Sequence, residues 1–203
     1  MKPWITVIVV AYKRYNHIPI MIHSFLTQSN PNWKMVILHD GPDEEHANII
    51  QPYLEKHQNI EYYQSKKRYN DWGHSLRECG INEFVETPWT LITNDDNYYV
   101  PTFLDECYSV ISDQNNANFI MVDCLINTPV SNSLNRNRYQ VQYTFPKTTL
   151  IDIGSFIVKQ DILKAVGFKS KTFLADGVLV DSILDTYPDL ICYKINQALF
   201  VHN

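Results

Sequence analysis

Continuous apolar runs and helically spaced apolar sets alternate along this chain, and their order predicts an α/β protein. The first run, Ile5-Thr6-Val7-Ile8-Val9-Val10, is β-branched and hydrophobic on both faces, as a central parallel strand covered on both sides requires. Ile18, Met21, Ile22 and Phe25 then recur at helical spacing until Asn30-Pro31 ends the pattern. A second strand, Met35 to Leu38, enters the turn His39-Asp40-Gly41-Pro42, and Asp43, Glu44 and Glu45 favour a helix start through the dipole. Ile60-Glu61-Tyr62-Tyr63 reads as a third strand. Asp71 is placed to cap a helix carrying Leu76, Cys79 and Phe84, and Trp89 to Thr93 reads as a fourth strand.

This succession implies a right-handed, mostly parallel sheet flanked by helices. The second half is less regular. Phe119 to Val122 predicts a strand, Asn127 to Asn137 a polar loop, and Ile151 to Val158 a strand followed by a short helix closed by Gly167. Val178, Leu179, Ile183 and Leu184 predict a helix over 177–187. Leu190 to Tyr193 and Ala198 to Val201 predict two late strands. No repeat or linker interrupts the pattern, so one domain is expected.

Composition agrees. The 203 residues are 45% hydrophobic, enough for one ordinary core, and no apolar run approaches the roughly 18 to 20 residues of a membrane span. Met1-Lys2-Pro3-Trp4 leads directly into a strand, so no secretory signal is expected, and a cytoplasmic location follows. A net charge of -5 argues against a nucleic-acid surface, and Lys66-Lys67-Arg68 is read as a solvated cluster. Four scattered cysteines, Cys79, Cys107, Cys124 and Cys192, lack a Cys-x-x-Cys pair and predict buried reduced thiols.

The chemistry concentrates at Leu91-Ile92-Thr93-Asn94-Asp95-Asp96-Asn97, where a buried strand ends in adjacent carboxylates and amides. Ionised aspartates are costly to bury, so acids at such a place line a solvated cleft, and ligands of open α/β sheets bind beyond the strand carboxyl ends. Carboxylates and amides together suit Mg2+ or Mn2+ carrying a phosphate ligand. The plain alternative is an acidic turn capping the next segment.

Five ordered segments together resemble family 2 glycosyltransferases. They are Ile8-Val9-Val10-Ala11-Tyr12-Lys13-Arg14, Leu38-His39-Asp40-Gly41-Pro42, Gly73 to Ile81, Asn94-Asp95-Asp96 with Tyr98-Tyr99-Val100-Pro101, and Leu174 to Asp181. The resemblance covers nearly the whole chain and implies a GT-A, Rossmann-like fold, with residues 1–97 as the nucleotide-sugar half and 98–203 as the acceptor half. It also implies inverting transfer of a hexosyl or N-acetylhexosaminyl group, from a UDP-sugar by preference, to a glycan or glycolipid hydroxyl. On it, Ala11, Tyr12 and Arg14 line the donor site with Tyr12 against the base, and Asp40 reads the base edge. Arg77 faces the diphosphate, Asn94 belongs to the nucleotide-sugar site, and Asp95 either contacts the ribose or supports the groups that bind it. In the Asp-x-Asp position, Asp96 is the implied ligand of Mn2+ or Mg2+, joined by His202, and Asp176 is the catalytic base. Asp181 is a weaker candidate on another helix face. Nucleic acid is not an implied partner; peripheral contact with a membrane is compatible.

Val10, Ala11, Glu78, Asn94 and Ala175 depart from the family pattern, which leaves open a catalytically silent nucleotide-sugar-binding module. A nucleotidyltransferase would need a glycine-rich loop where Ala11 to Tyr15 stands. Acceptor choice is expected around Asp152 to Phe156. Phe156, Trp72 or Tyr99 are expected to stack on sugar or to fill the core, and the 127–137 loop to act as a lid or a plain connection.

Overall fold

The computed structural model describes residues 2–114, 116–129 and 137–203. Its elements run β1 (Ile5–Ala11), α1 (Ile18–Leu26), β2 (Trp33–His39), α2 (Glu44–Lys56), β3 (Ile60–Gln64), α3 (His74–Glu83), β4 (Trp89–Asn94), β5 (Tyr98–Tyr99), α4 (Phe103–Asp113), β6 (Phe119–Pro129), β7 (Asn137–Gln142), β8 (Phe156–Lys159), α5 (Gln160–Val166), α6 (Ala175–Thr186) and β9 (Cys192–His202). The strands form one sheet in the order β3-β2-β1-β4-β8-β6-β9-β5, with β7 paired to β6. From β3 to β4 all pairings are parallel; β8 then joins antiparallel to β4 and β6.

Burial explains the continuous apolar runs. Every residue of β1 is buried. Val7 and Val9 face α1 and α4 through Ile18, Phe25 and Phe103, whereas Ile8 and Val10 face α3, α5 and α6 through Leu76, Leu163 and Leu179. Register then builds the site: Val10 pairs with Leu38 and with Asn94, so the polar exits of β1, β2 and β4 meet at one sheet edge. Gly80 lets α3 approach closely, since a Cβ there would stand 2.8 Å from Ile8 Cγ2.

Several second-half expectations need correction. Ile151 to Val158 is not one strand: Asp152 opens a 3-10 turn, Ile153–Ser155, through a reciprocal capping box, and β8 starts at Phe156. The two late strands are one, β9, whose pairing with β6 shifts register around Asp123. Helix α4 was not anticipated, although Phe103, Leu104 and Cys107 bury one side of it. Asp71 reaches the Ser75 N–H and hydroxyl, while Gly73, at φ 80°, is the residue at the N-cap of α3. Of the polar loop, Asn127 to Pro129 and Asn137 belong to β6 and β7; residues 130–136, and the lid expectation with them, lie outside the described residues. Among the described residues no helix is long and apolar enough to cross a membrane. All four cysteines are free; Cys107 and Cys124 are buried as expected, but Cys79 is exposed and Cys192 half-buried.

Candidate active site

A cleft of about 450 Å3 opens beyond the carboxyl ends of β1, β2 and β4. Ala11, Tyr12, Arg14, Asp40, Arg77, Asn94, Asp95 and Asp176 all line it. Asp96 and His202 do not appear in its wall.

At one end the ring of Tyr12 carries the Arg68 guanidinium 4.0 Å from its centroid, a cation–π stack. Arg68 belongs to the basic cluster read as solvated, yet it covers a face on which a base would lie. Asp40 is buried and already engaged: its two oxygens accept the N–H groups of Tyr69, at 2.7 Å, and Asn70, at 3.0 Å. It therefore fastens the loop bearing Arg68 to the end of β2.

Arg77 is buried on α3, where its Nη2 donates to Asn94 Oδ1 at 2.7 Å and its Nη1 to the Trp72 carbonyl at 3.2 Å. Nη1 also lies 3.0 Å from His74 Nδ1, so this nitrogen is the acceptor and His74 is neutral, its pKa lowered first by burial and then by Arg77. Arg77 Nε is buried with no hydrogen-bond partner among the described residues, a donor of the kind an oxygen-rich ligand satisfies.

Asp176 stands in the first turn of α6, where the N-terminal dipole favours an anion. Burial pushes its carboxyl up to about 6 against the pull of Arg77, and neighbouring Asp152 raises it further. Its Oδ2 accepts the Ile153 N–H at 3.3 Å. Asp95 is more deeply buried and is pushed up to about 7, opposed by Arg14 and by the Tyr12 N–H at 3.1 Å.

Arg14 ties the two acids together: its Nη1 meets the Asp96 carboxylate, and its Nε lies 3.8 Å from Asp95 Oδ1. Strand β9 brings His202 alongside through the pairing of Tyr98 with Val201, and Asn203 Nδ2 donates to the Asp96 carbonyl at 2.7 Å. His202 Nδ1 lies 3.3 Å from Asp152 Oδ2 but lacks a properly directed hydrogen bond. No three His, Cys, Asp or Glu side chains converge on one point among the described residues. Asp96 is engaged by Arg14 and His202 faces Asp152, so a cation held by Asp96 and His202 would be bound by few protein groups and completed by phosphate oxygens, the usual manner of Mg2+-type sites.

The structure accounts for two departures from the family pattern. Glu78 accepts the Phe168 N–H and the Asn82 amide, clamping α3 to the chain after α5. Ala175 is buried in the apolar layer beneath α6. Asp181 is turned to Thr148, whose N–H and hydroxyl it accepts, and takes no part in the cleft. Tyr99 and Phe156 are core residues, 0% and 3% exposed, while Trp72 is 73% exposed at the cleft. Sequence reasoning missed Arg68, Asn70, His74 and Phe173 in the wall. Asn70 and Trp72 both have positive φ, a loop geometry that no periodicity announces.

A nucleotide-sized cleft at the carboxyl edge of this sheet is the arrangement of the GT-A glycosyltransferases. The chain superposes over its whole length on S. aureus TarS, with a TM-score of 0.76 and 16% identity, and covers 60% of that chain. It superposes equally fully on the mannosyltransferase PcManGT from Pyrobaculum calidifontis, with a TM-score of 0.74 and 12% identity, covering 57% of it. The sequence profile of glycosyl transferase family 2 matches residues 6–167, and the protein belongs to that family. Asp176 and His202 lie beyond the matched segment. A relative from Mycoplasma pneumoniae, the uncharacterized glycosyltransferase MG025 homolog, is 26% identical over 97 residues, which are 47% of this chain and 32% of the relative.

Proposed function

We propose that the protein is an inverting glycosyltransferase that moves a hexosyl or N-acetylhexosaminyl group from a nucleoside diphosphate to a hydroxyl of a glycan or glycolipid. The observation that carries this reading is one cleft shared by an aromatic platform, Tyr12, a buried cation, Arg77, and a buried carboxyl raised to about 6, Asp176. Residues 1–97 supply the donor platform and residues 98–203 supply Asp176.

The base stacks on Tyr12, displacing or sandwiching Arg68, and stacking of this kind contributes about 1 to 3 kcal/mol in nucleic-acid complexes. Asp40 reads the base through the loop it fastens. Arg77 donates to the diphosphate with its planar fork, while Asn94 and Asp95 meet the ribose. Asp176 accepts the acceptor's hydroxyl proton as that oxygen attacks the anomeric carbon from the face opposite the diphosphate, which inverts the centre. Asp96 and His202 would hold Mn2+ or Mg2+, a cation that neutralises charge on the departing diphosphate. TarS has been solved with UDP and with UDP-GlcNAc, and the mannosyltransferase with GDP-Man and Mn2+. Those complexes support a nucleotide donor and a divalent ion, and UDP is favoured for TarS's sake. Free thiols support a reducing, cytoplasmic setting.

A thermal-shift screen of UDP, GDP and TDP with and without Mn2+ tests the reading. UDP with Mn2+ is expected to raise the melting temperature of the wild type, and Asp96→Ala to lose the Mn2+-dependent part. A flat response to every nucleotide overturns the proposal, and nucleotide binding with no transfer to any hydroxyl acceptor reduces it to a binding module.

A further inference from the structure

Trp72 and Phe173 are 73% and 89% exposed, more than any other large hydrophobic residue described, and both line the active-site cleft. Exposed aromatic rings flanking a polar cleft mark a ligand-contacting surface. The loops that carry them are tied together. Lys171 Nζ bonds Asp71 Oδ2 at 3.3 Å and Ser75 Oγ at 2.9 Å, joining the loop before α3 to the loop before α6. His74 stacks on Phe168 with centroids 5.4 Å apart and closes the same junction. Each aromatic residue sits beside its half of this clasp: Trp72 follows Asp71, and Phe173 lies two residues after Lys171.

Trp72 adopts φ 53°, a left-handed backbone unusual for a bulky side chain. Such a conformation persists where the surroundings impose it, and it clusters at functional sites. Here Arg77 Nη1 bonds the Trp72 carbonyl at 3.2 Å and holds this stretch of the loop. Phe173 precedes Asp176 by three residues, at the entrance to α6. The backbone bearing each ring is thereby anchored beside the two groups proposed to act on the diphosphate and the attacking hydroxyl.

We infer that Trp72 and Phe173 form the acceptor subsite, gripping the hydrocarbon face of a pyranose ring whose hydroxyl is presented to Asp176. This rests on the glycosyltransferase reading and names its acceptor class. A pyranose offers an apolar C–H face to an aromatic ring and hydroxyls around its edge. The same cleft wall also carries the polar residues Asn70, His74 and Asp176. An alkyl chain laid along it would desolvate Asp176 and Asn70 without compensation. A sugar ring instead uses both kinds of surface. Trp72, from the donor half, thus also contributes to acceptor binding.

The test uses the whole chain and saturation-transfer NMR with the methyl α- and β-hexopyranosides of glucose, galactose, mannose and N-acetylglucosamine, and with octyl phosphate as the lipid probe, with and without UDP and Mn2+. At least one glycoside is expected to bind through its ring C–H protons. Its affinity should fall about tenfold in Trp72→Ala and in Phe173→Ala, the worth of one stacking contact. Trp72→Phe, which keeps a flat ring, should restore most of it. Of the four tryptophans, Trp33 and Trp89 are buried and Trp4 half-buried, so the bound glycoside should also blue-shift an emission that disappears in Trp72→Phe. The nucleotide-induced thermal shift should be the same in every variant. No glycoside binding, equal binding in the Trp72→Ala/Phe173→Ala double variant, or ring-dependent binding of octyl phosphate alone overturns the inference. Failure of nucleotides to bind the wild type strikes the glycosyltransferase reading instead, so the two failures are separable.

Discussion

Asp176 is raised by burial and by Asp152 and lowered by Arg77, and the balance leaves it near 6. A carboxyl so placed is ionised at neutral pH yet more basic than a free aspartate, which suits proton acceptance. Only the ionised form is a base, so transfer should rise with pH through about 6 and level off above it. Asp176→Asn should retain nucleotide binding and lose transfer by at least about 100-fold; undiminished turnover would remove Asp176 from the mechanism. Arg77→Met should move the rising limb to higher pH, because it deletes the charge that opposes the shift. Steady-state rates between pH 5 and 8 decide both. Residues of this kind were legible because ordered motifs carry them: Tyr12, Arg77, Asp95 and Asp176 each sit where an apolar run or helix pattern meets a polar exit. Arg68 and Phe173 were not, since they lie on loops outside any helix or strand, where no periodicity marks which side chain enters the cleft.

At the scale of elements, α3 is the part on which the cleft depends. It carries Arg77, lies close on β1 through Gly80, and is tied by Glu78 to the Phe168 N–H. Phe168 is itself buried beneath the loop leading to Phe173 and Asp176. Glu78→Asn shortens the side chain and leaves that N–H without its carboxylate. An unsatisfied buried donor costs about 1 to 3 kcal/mol, so urea denaturation should show a loss of that order, accompanied by weaker protection of the 168–174 amides in hydrogen exchange. Unchanged stability would mean that the asparagine reaches the same N–H. Burial explains why the elements of the parallel half were readable. Strands β1, β2 and β4 are buried on both faces and so must be apolar throughout. Strand β9 read as two because Asn196 and Gln197 are exposed where its register with β6 shifts. The run at Ile151 looked like a strand because its apolar residues are buried in a 3-10 turn instead, and Asp152, which caps that turn, was the overlooked signal.

For the molecule as a whole, the active-site acids oppose stability. Asp95 and Asp176 have folded pKa values of about 7 and about 6, above the ordinary 3.8, so the folded protein holds protons that the unfolded chain releases. Stability contributed by these groups is present below pH 3.8 and is lost as pH rises toward 7. His46, buried beside His39 and lowered to about 4, works in the opposite direction, because the unfolded chain gains a proton below pH 6.5 that the fold excludes until about 4. His74, lowered by burial and by Arg77, acts in the same direction as His46, but between pH 5 and 8 the two acids span the wider range, and the ligand-free protein is expected to be more stable near pH 5 than near pH 8. Asp95→Asn isolates the largest part. The amide keeps an oxygen for the Tyr12 N–H but carries no ionisation, so it should raise the unfolding free energy at pH 8 by on the order of 3 kcal/mol. The gain should shrink as pH falls and vanish near pH 4, while nucleotide affinity weakens. Urea titrations of both proteins at pH 4, 6 and 8 measure this directly. A gain of equal size at all three would assign the effect to packing and leave the burial of Asp95 without a cost. The expected slope would instead show that the fold gives up stability at neutral pH to keep a carboxyl where the donor's ribose is proposed to lie.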